Sequence, residues 1–285
     1  MAFKIAAASN AVFVLLFLMQ LCSGSTFNHV PSRILPYRGT VIQDGESNEA
    51  MYRQYQDKLQ EYREMAFSTK SDWNVLKRTK DGIEIATFSP GDDKDCPYIR
   101  MRATMPTSAS SLYNFMSFAN WKIFMPIINP FYHGISVENE CMVQDKRMIL
   151  ARKRSTSILG FGRRDFSLLA VISNAGPRHD ETLVSGTISI IAPQLIPRYP
   201  GFTRAFQDMV CFYKPVGRHS DGTHQTELTI MLRTDLNDST HDGAGGAVPM
   251  WLVVKTLGIA GSKAMQGLRK VVRRHATTHL VPASV

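Results

Sequence analysis

The sequence predicts an α+β fold, a curved antiparallel sheet packed around a long C-terminal helix, and three observations carry that expectation. Between Ile135 and Leu236, six runs alternate apolar and polar residues and are separated by Gly, Pro, Asn or Asp, as antiparallel strands joined by turns would be. From Pro249 to Arg274, Trp251, Val254, Leu257, Gly261, Ala264, Leu268 and Val272 share one face of a helix roughly 39 Å long. The chain has 285 residues, 44% hydrophobic and 20% charged, a globular composition large enough to bury a sizeable core. A long amphipathic helix laid across a bent sheet encloses volume as well as core, so the architecture suits a ligand cavity.

The elements follow in chain order. Residues 1–24 carry Lys4, an apolar run from Ala11 to Leu21 and a small-residue exit at Cys22 to Ser25. That is the layout of a secretory signal peptide, with an uncleaved signal anchor as the alternative. Residues 25–47 hold two prolines and two glycines after Thr26 and read as an exposed linker. Met51, Tyr55, Leu59, Tyr62 and Ala66 recur at helical spacing, which predicts an amphipathic helix over Asn48 to Phe67. Two alternating runs around Lys80-Asp81-Gly82 predict a hairpin, with Tyr98 to Met105 as a third strand. Thr107 to Phe118 opens on hydroxyl residues able to cap a helix, and the two-proline segment after it reads as a broken, packed connection. The six alternating runs come next, and Pro249 starts the closing helix without loss of a hydrogen bond. The expected domain spans 48–276, with a tail over 277–285.

A formal charge of +9 favours anionic partners, meaning nucleic acid or acidic membrane. No nucleic-acid recognition motif is present. Beyond the leader only Cys96, Cys141 and Cys211 remain, without C-x-x-C spacing, so neither a zinc site nor a disulfide framework is expected. There is no G-x-S-x-G, H-E-x-x-H or Walker pattern, and Gly243 to Gly246 lacks the Lys-Ser/Thr that a phosphate cradle requires. That glycine cluster reads as a hinge before the closing helix.

Several segments in order resemble the START family, the steroidogenic-acute-regulatory-related lipid transfer domains. They are "WNVLKRTKDGIEI", "LYNFMSFANWKIFMP", "RRDFSLLAV" (similar to the family's P-R-D-F strand), "YPGFTRAF" (similar to P-G-x-x-R-A) and "TDLNDSTHDGAGGAVPMWLVV". The resemblance covers about residues 50–275. It implies a helix-grip fold enclosing a lipid tunnel and a protein that binds and transfers one lipid; a phospholipid ranks first because membranes supply it most abundantly, with sterol and ceramide next. It implies no catalysis, no cofactor and no metal; the partners expected are the lipid and an anionic membrane surface, the chain being monomeric. The alternatives are a lipid sensor that does not transfer, and a cavity-based hydrolase or cyclase using Asp165 or His224. The Arg that phospholipid- and sterol-binding relatives often carry six residues after the Arg of the R-D-F motif is absent, since Ala170 stands there.

A lipid site needs apolar walls and a few satisfied polar groups. The candidates for it are Glu140, Arg152, Asp165, Glu227, Thr229 and Met231 on strands, with Trp251, Leu257 and Gly261 on the closing helix. Alternation places Glu227, Thr229 and Met231 opposite Leu228 and Ile230, so they face a cavity only if the cavity is the more polar side. Gly258, Gly261 and Gly267 leave room for ligand or permit close helix–sheet contact. Ile158, Leu159, Phe161 and Arg163, in a glycine-flanked loop, combine apolar residues with cations and suit membrane contact.

Overall fold

The computed structural model describes residues 40–42, 46–68, 73–89, 96–129, 131–156, 162–173, 182–236 and 250–277, with backbone alone at several positions near the two ends. Ten strands and four α-helices run in the order β1 (Thr40–Val41), α1 (Asn48–Phe67), β2 (Asn74–Arg78), β3 (Glu84–Phe88), β4 (Tyr98–Met105), α2 (Ala109–Met116), α3 (Trp121–Ile128), β5 (Tyr132–Val143), β6 (Lys146–Ser155), β7 (Arg164–Ser173), β8 (Leu183–Ile191), β9 (Thr203–Arg218), β10 (His224–Asp235) and α4 (Met250–Thr277). A 3-10 turn over Phe118–Asn120 joins α2 to α3.

The sheet has the order β2-β3-β4-β10-β9-β8-β7-β6-β5, with every neighbouring pair antiparallel. Two-residue and glycine turns set its registers. Gln144 and Asp145 both take positive φ (49° and 59°) between the paired Val143 and Lys146, the geometry that a tight hairpin requires. Gly82, at φ 79°, closes the β2–β3 hairpin, where Thr79 N–H donates to Ile83 O at 2.9 Å.

Each face of the sheet has its own helix layer. On the outer face lies α1, capped by Ser47, whose side chain accepts from Ala50 N–H. Tyr52 and Tyr55 pack with Leu150, Leu169 and Ile188, while Tyr62 and Ala66 pack with Val210, Phe212 and Met231. The Tyr55 hydroxyl donates to Gly186 O at 2.9 Å, where a Cβ on Gly186 would come within 3.1 Å of Leu59 Cδ2. On the inner face, α2, α3 and α4 close over β3, β4, β9 and β10 through Ile85, Met101, Phe124, Cys211, Ile230, Met265 and Leu268. Gly261 is the close approach of α4 to the sheet, since a Cβ there would sit 3.1 Å from Met101 Sδ and 3.3 Å from Ile85 Cδ1.

Two expectations change. The two-proline connection is the helix α3: Pro126 lies in its second turn, where it removes a single hydrogen bond, and burial of Trp121, Phe124 and Met125 outweighs that loss. The stretch expected to be an exposed linker contains β1, which pairs in parallel with β8 and buries Ile42 next to it.

Candidate functional site

Strand register decides which side chains reach the space beneath α2, α3 and α4. On β6, Ile149, Ala151 and Lys153 stand opposite Ala170, Leu168 and Phe166 of β7. On β9 the same face presents Ala205, Gln207, Met209, Cys211 and Tyr213, and on β10 it presents Leu228, Ile230 and Thr234. The inner face is therefore a track of apolar residues with polar groups near its two ends.

Near the first end, a crevice between α2 and strands β7 to β9 is lined by Tyr113, Met116, Phe118, Trp121, Ile172, Thr187, Met209 and Cys211. It has room for about one water molecule, against the roughly 300–1,000 Å³ of ordinary ligand pockets. At this crevice the described side chains fill nearly all of the space. Ser185 Oγ and the Tyr213 hydroxyl lie 2.7 Å apart, and the Tyr113 ring meets Tyr213 edge-on with centroids 5.7 Å apart. Burial pushes the Cys211 thiol up to about 12 and the Tyr213 phenol well above its usual value, so this end stays neutral at physiological pH.

The second end is cationic. Lys153 is 1% exposed, donates to Gln207 Oε1, and sits with Nζ 4.3 Å from the centre of the Phe166 ring. Gln207 Nε2 in turn donates to Thr234 Oγ1 at 3.1 Å. Burial in this apolar setting pulls the Lys153 ammonium down to about 7. One step further along β6, Ser155 pairs with Tyr132 of β5, whose buried hydroxyl has no hydrogen-bond partner among the described residues.

Most of the strand residues expected at the lipid site lie elsewhere. Glu227, Thr229 and Met231 are on the outer face; Met231 packs under α1 with Tyr62 and Phe212, because the inner face of β10 belongs to the apolar Leu228 and Ile230. Asp165 also points outward. It accepts two hydrogen bonds from Arg204, at 3.2 and 2.9 Å, and one from Tyr199 N–H at 3.0 Å, which pins the connection between β8 and β9. Its carboxyl is raised by burial, against the pull of Arg204. Arg152, on the same outer face, donates to Pro197 O at 2.9 Å and lies 3.5 Å from Glu138. Glu140 is exposed on the edge strand β5 and held by Arg147 at 2.6 Å. At Gly261 the space beside α4 is taken by Met101 and Ile85 of the sheet.

Trp251 and Leu257 lie on α4, but their side chains are outside the described residues, as are Ile158, Leu159, Phe161 and the glycine cluster 243–246. Arg163 is exposed, with its guanidinium 5.7 Å from the Phe202 ring. Sequence reasoning missed Lys153, Gln207 and Thr234. In "RMILARKRS" both faces of the strand are apolar, Met148 and Leu150 outward and Ile149 and Ala151 inward, so alternation could not say which of Arg152, Lys153 and Arg154 points inward. Among the described residues no group of three or more His, Cys, Asp or Glu is placed to hold a metal ion.

A nine-strand antiparallel path gripped by a C-terminal helix, with a further helix on its outer face, is the helix-grip fold of StAR-related lipid transfer domains. Human StAR-related lipid transfer protein 5 superposes with a TM-score of 0.61 at 17% identity, over 80% of this chain and 99% of that one. Human STARD10 superposes at 0.57 and 12% identity, over 81% and 82% of the two chains. The lipid transfer and protein localization domain of human StarD13 gives 0.52 and 15%, over 79% and 97%. No family model matches the sequence, and no curated protein matches it significantly. The likeness is one of fold.

Proposed function

We propose that the protein binds one lipid between α4 and the inner face of the sheet and carries it between membranes. The observation that carries this reading is the enclosed inner face, apolar along its length and polar near both ends, in a fold shared with human lipid transfer domains. The chemistry proposed is binding alone: the inner-face polar groups are hydroxyls, an amide, a thiol pushed up by burial and two cations, Lys153 and Arg164. A phospholipid ranks first as cargo, before sterol or ceramide.

The membrane side of the proposal rests on the surface formed by the β8–β9 connection and Arg163. Leu195 and Tyr199 are 40% and 36% exposed there, beside the exposed Arg163 and Arg198, a pairing of apolar and cationic groups that suits an anionic bilayer. No helix among the described residues is long and apolar enough to cross a membrane. With residues 1–24 read as a secretory leader, the proposed place of action is the secretory pathway or beyond, as a monomer.

Transfer of labelled phosphatidylcholine, cholesterol and ceramide from donor to acceptor vesicles tests this. The expected result is protein-dependent transfer of the phospholipid. Binding with no transfer would leave a lipid sensor in its place.

A further inference from the structure

Two cations are buried on the inner face, and they are served differently: the Arg164 guanidinium donates to Leu236 O at 2.8 Å and to Gly162 O at 2.6 Å, whereas Lys153 donates to one side-chain amide. Asp165 has Arg204, Arg100 has Glu84 at 3.1 Å, and Asp208 accepts from the Tyr62 hydroxyl and Ser189 N–H. Lys153 is buried on the inner face, opposite Phe166, and no carboxylate among the described residues lies within ion-pair distance of it. An ammonium has three donor hydrogens, and one goes to Gln207. The same end of the face carries the Thr234 hydroxyl, which accepts from Gln207, and, opposite Ser155 two residues along β6, Tyr132, whose buried hydroxyl has no hydrogen-bond partner among the described residues. This end of the track offers donors and a positive charge and lacks an anion. A buried cation without a counter-charge is costly, and an oxyanion brought in by a ligand would remove that cost.

We infer that Lys153, supported by Gln207, is the head-group anchor of the lipid site and takes a phosphate or carboxylate, so that the protein selects lipids bearing an acidic oxygen over sterols, ceramides and diacylglycerols. This rests on the lipid-carrier reading and adds the class of cargo to it. The anchor lies further along β6 than the position opposite Ala170, where Ile149 stands. A missing arginine at 170 thus leaves the site with a cation of its own.

The test exposes the purified full chain to vesicles of phosphatidylcholine mixed with phosphatidylglycerol, oleic acid, diacylglycerol and cholesterol, then identifies the bound lipid by native mass spectrometry. Wild type is expected to load a phospholipid or the fatty acid, and which of these two wins tells phosphate from carboxylate. Lys153→Met should lose about 10-fold or more of that preference over diacylglycerol, while Lys153→Arg keeps it. A second measurement needs no variant. At about pH 8, binding of phosphatidylglycerol, which does not itself titrate there, should take up a proton as Lys153 becomes charged, while diacylglycerol takes up none. Tyr132, pushed up by burial, and Arg164 are the other titratable groups on this end of the face and do not change charge near that pH. A Lys153→Met protein with the wild-type lipid ratio, or acidic-lipid binding without proton uptake, overturns the anchor. Wild type that loads no lipid of any class overturns the carrier reading itself, a separate result.

Discussion

On the outer face of the sheet, beneath α1 and the connection from β8 to β9, buried charge is met within the protein. Asp165 is matched by Arg204, and Asp208, held up to about 6 by burial, by the Tyr62 hydroxyl and Ser189 N–H. On the inner face of the same strands Lys153 has an amide and a ring for company and no anion. The two faces are separated by one residue of register, so solvent access does not explain the contrast: Asp165 and Lys153 are 0% and 1% exposed. What differs is the neighbour on the far side. Outward-facing Asp165 and Asp208 meet fixed elements of the chain, as does inward-facing Arg164, which donates to Leu236 O and Gly162 O; on the proposed reading Lys153 alone of these four looks onto the space that a lipid would fill. A buried charge matched by its own protein serves the fold, and one left unmatched on an enclosed face marks where a ligand supplies the partner.

Removing an outer-face partner should have the largest effect on stability. Asp165→Ala leaves the Arg204 guanidinium without its counter-charge and Tyr199 N–H without an acceptor, and should cost about 3–5 kcal/mol in urea unfolding. If Asp165 is purely structural, whatever protein remains folded should transfer lipid at the wild-type rate per molecule.

The inner-face counterpart has the opposite sign. The folded-state pKa of Lys153 is depressed from 10.5 to about 7, so between those values the unfolded chain holds a proton that the folded chain does not. The resulting penalty is full below about pH 7 and fades as pH rises toward 10.5. Lys153→Met should therefore stabilise the lipid-free protein by about 1–4 kcal/mol at neutral pH, after allowing for the Gln207 amide left without its donor. Thermal melts across that range should show the gain shrinking as pH rises. A loss of stability at neutral pH would mean that the cation has a partner in the fold after all.

Smaller effects separate helix from membrane. Gly261→Val forces a branched side chain against Met101 and Ile85 and should cost about 1–3 kcal/mol, measured by chemical denaturation. Arg163→Glu with Arg198→Glu should leave stability within about 0.5 kcal/mol, both residues being exposed. The same pair should slow transfer from anionic vesicles several-fold at low salt, and high salt should erase the difference.

Much of this architecture was legible in the sequence because it rests on local chemistry. Ser47 caps α1 where the helical spacing begins, the six alternating runs are β5 to β10, and Asp81-Gly82 closes its hairpin. The fold missed at Pro126, where the gain from burying Trp121 and Phe124 comes from distant strands, and at β1, a two-residue strand too short to show a period. The candidate site was less legible. Alternation pairs residues by face but does not name the face, and here both faces are buried: Met231 packs under α1 as tightly as Ile230 packs under the inner helices. Polar residues chosen for their strand, Arg152, Asp165, Glu227 and Thr229, proved to be outward, and the inward one, Lys153, lay between two arginines that resemble it in every local respect.

On the proposed reading the inner face holds one acid-bearing lipid against Lys153. Native mass spectrometry of the full chain after exposure to mixed vesicles decides it. The expected mass is that of the protein plus one phospholipid or fatty acid, with that adduct lost in Lys153→Met. A protein that stays at its bare mass, or that takes up sterol and diacylglycerol as readily as phospholipid, would contradict it.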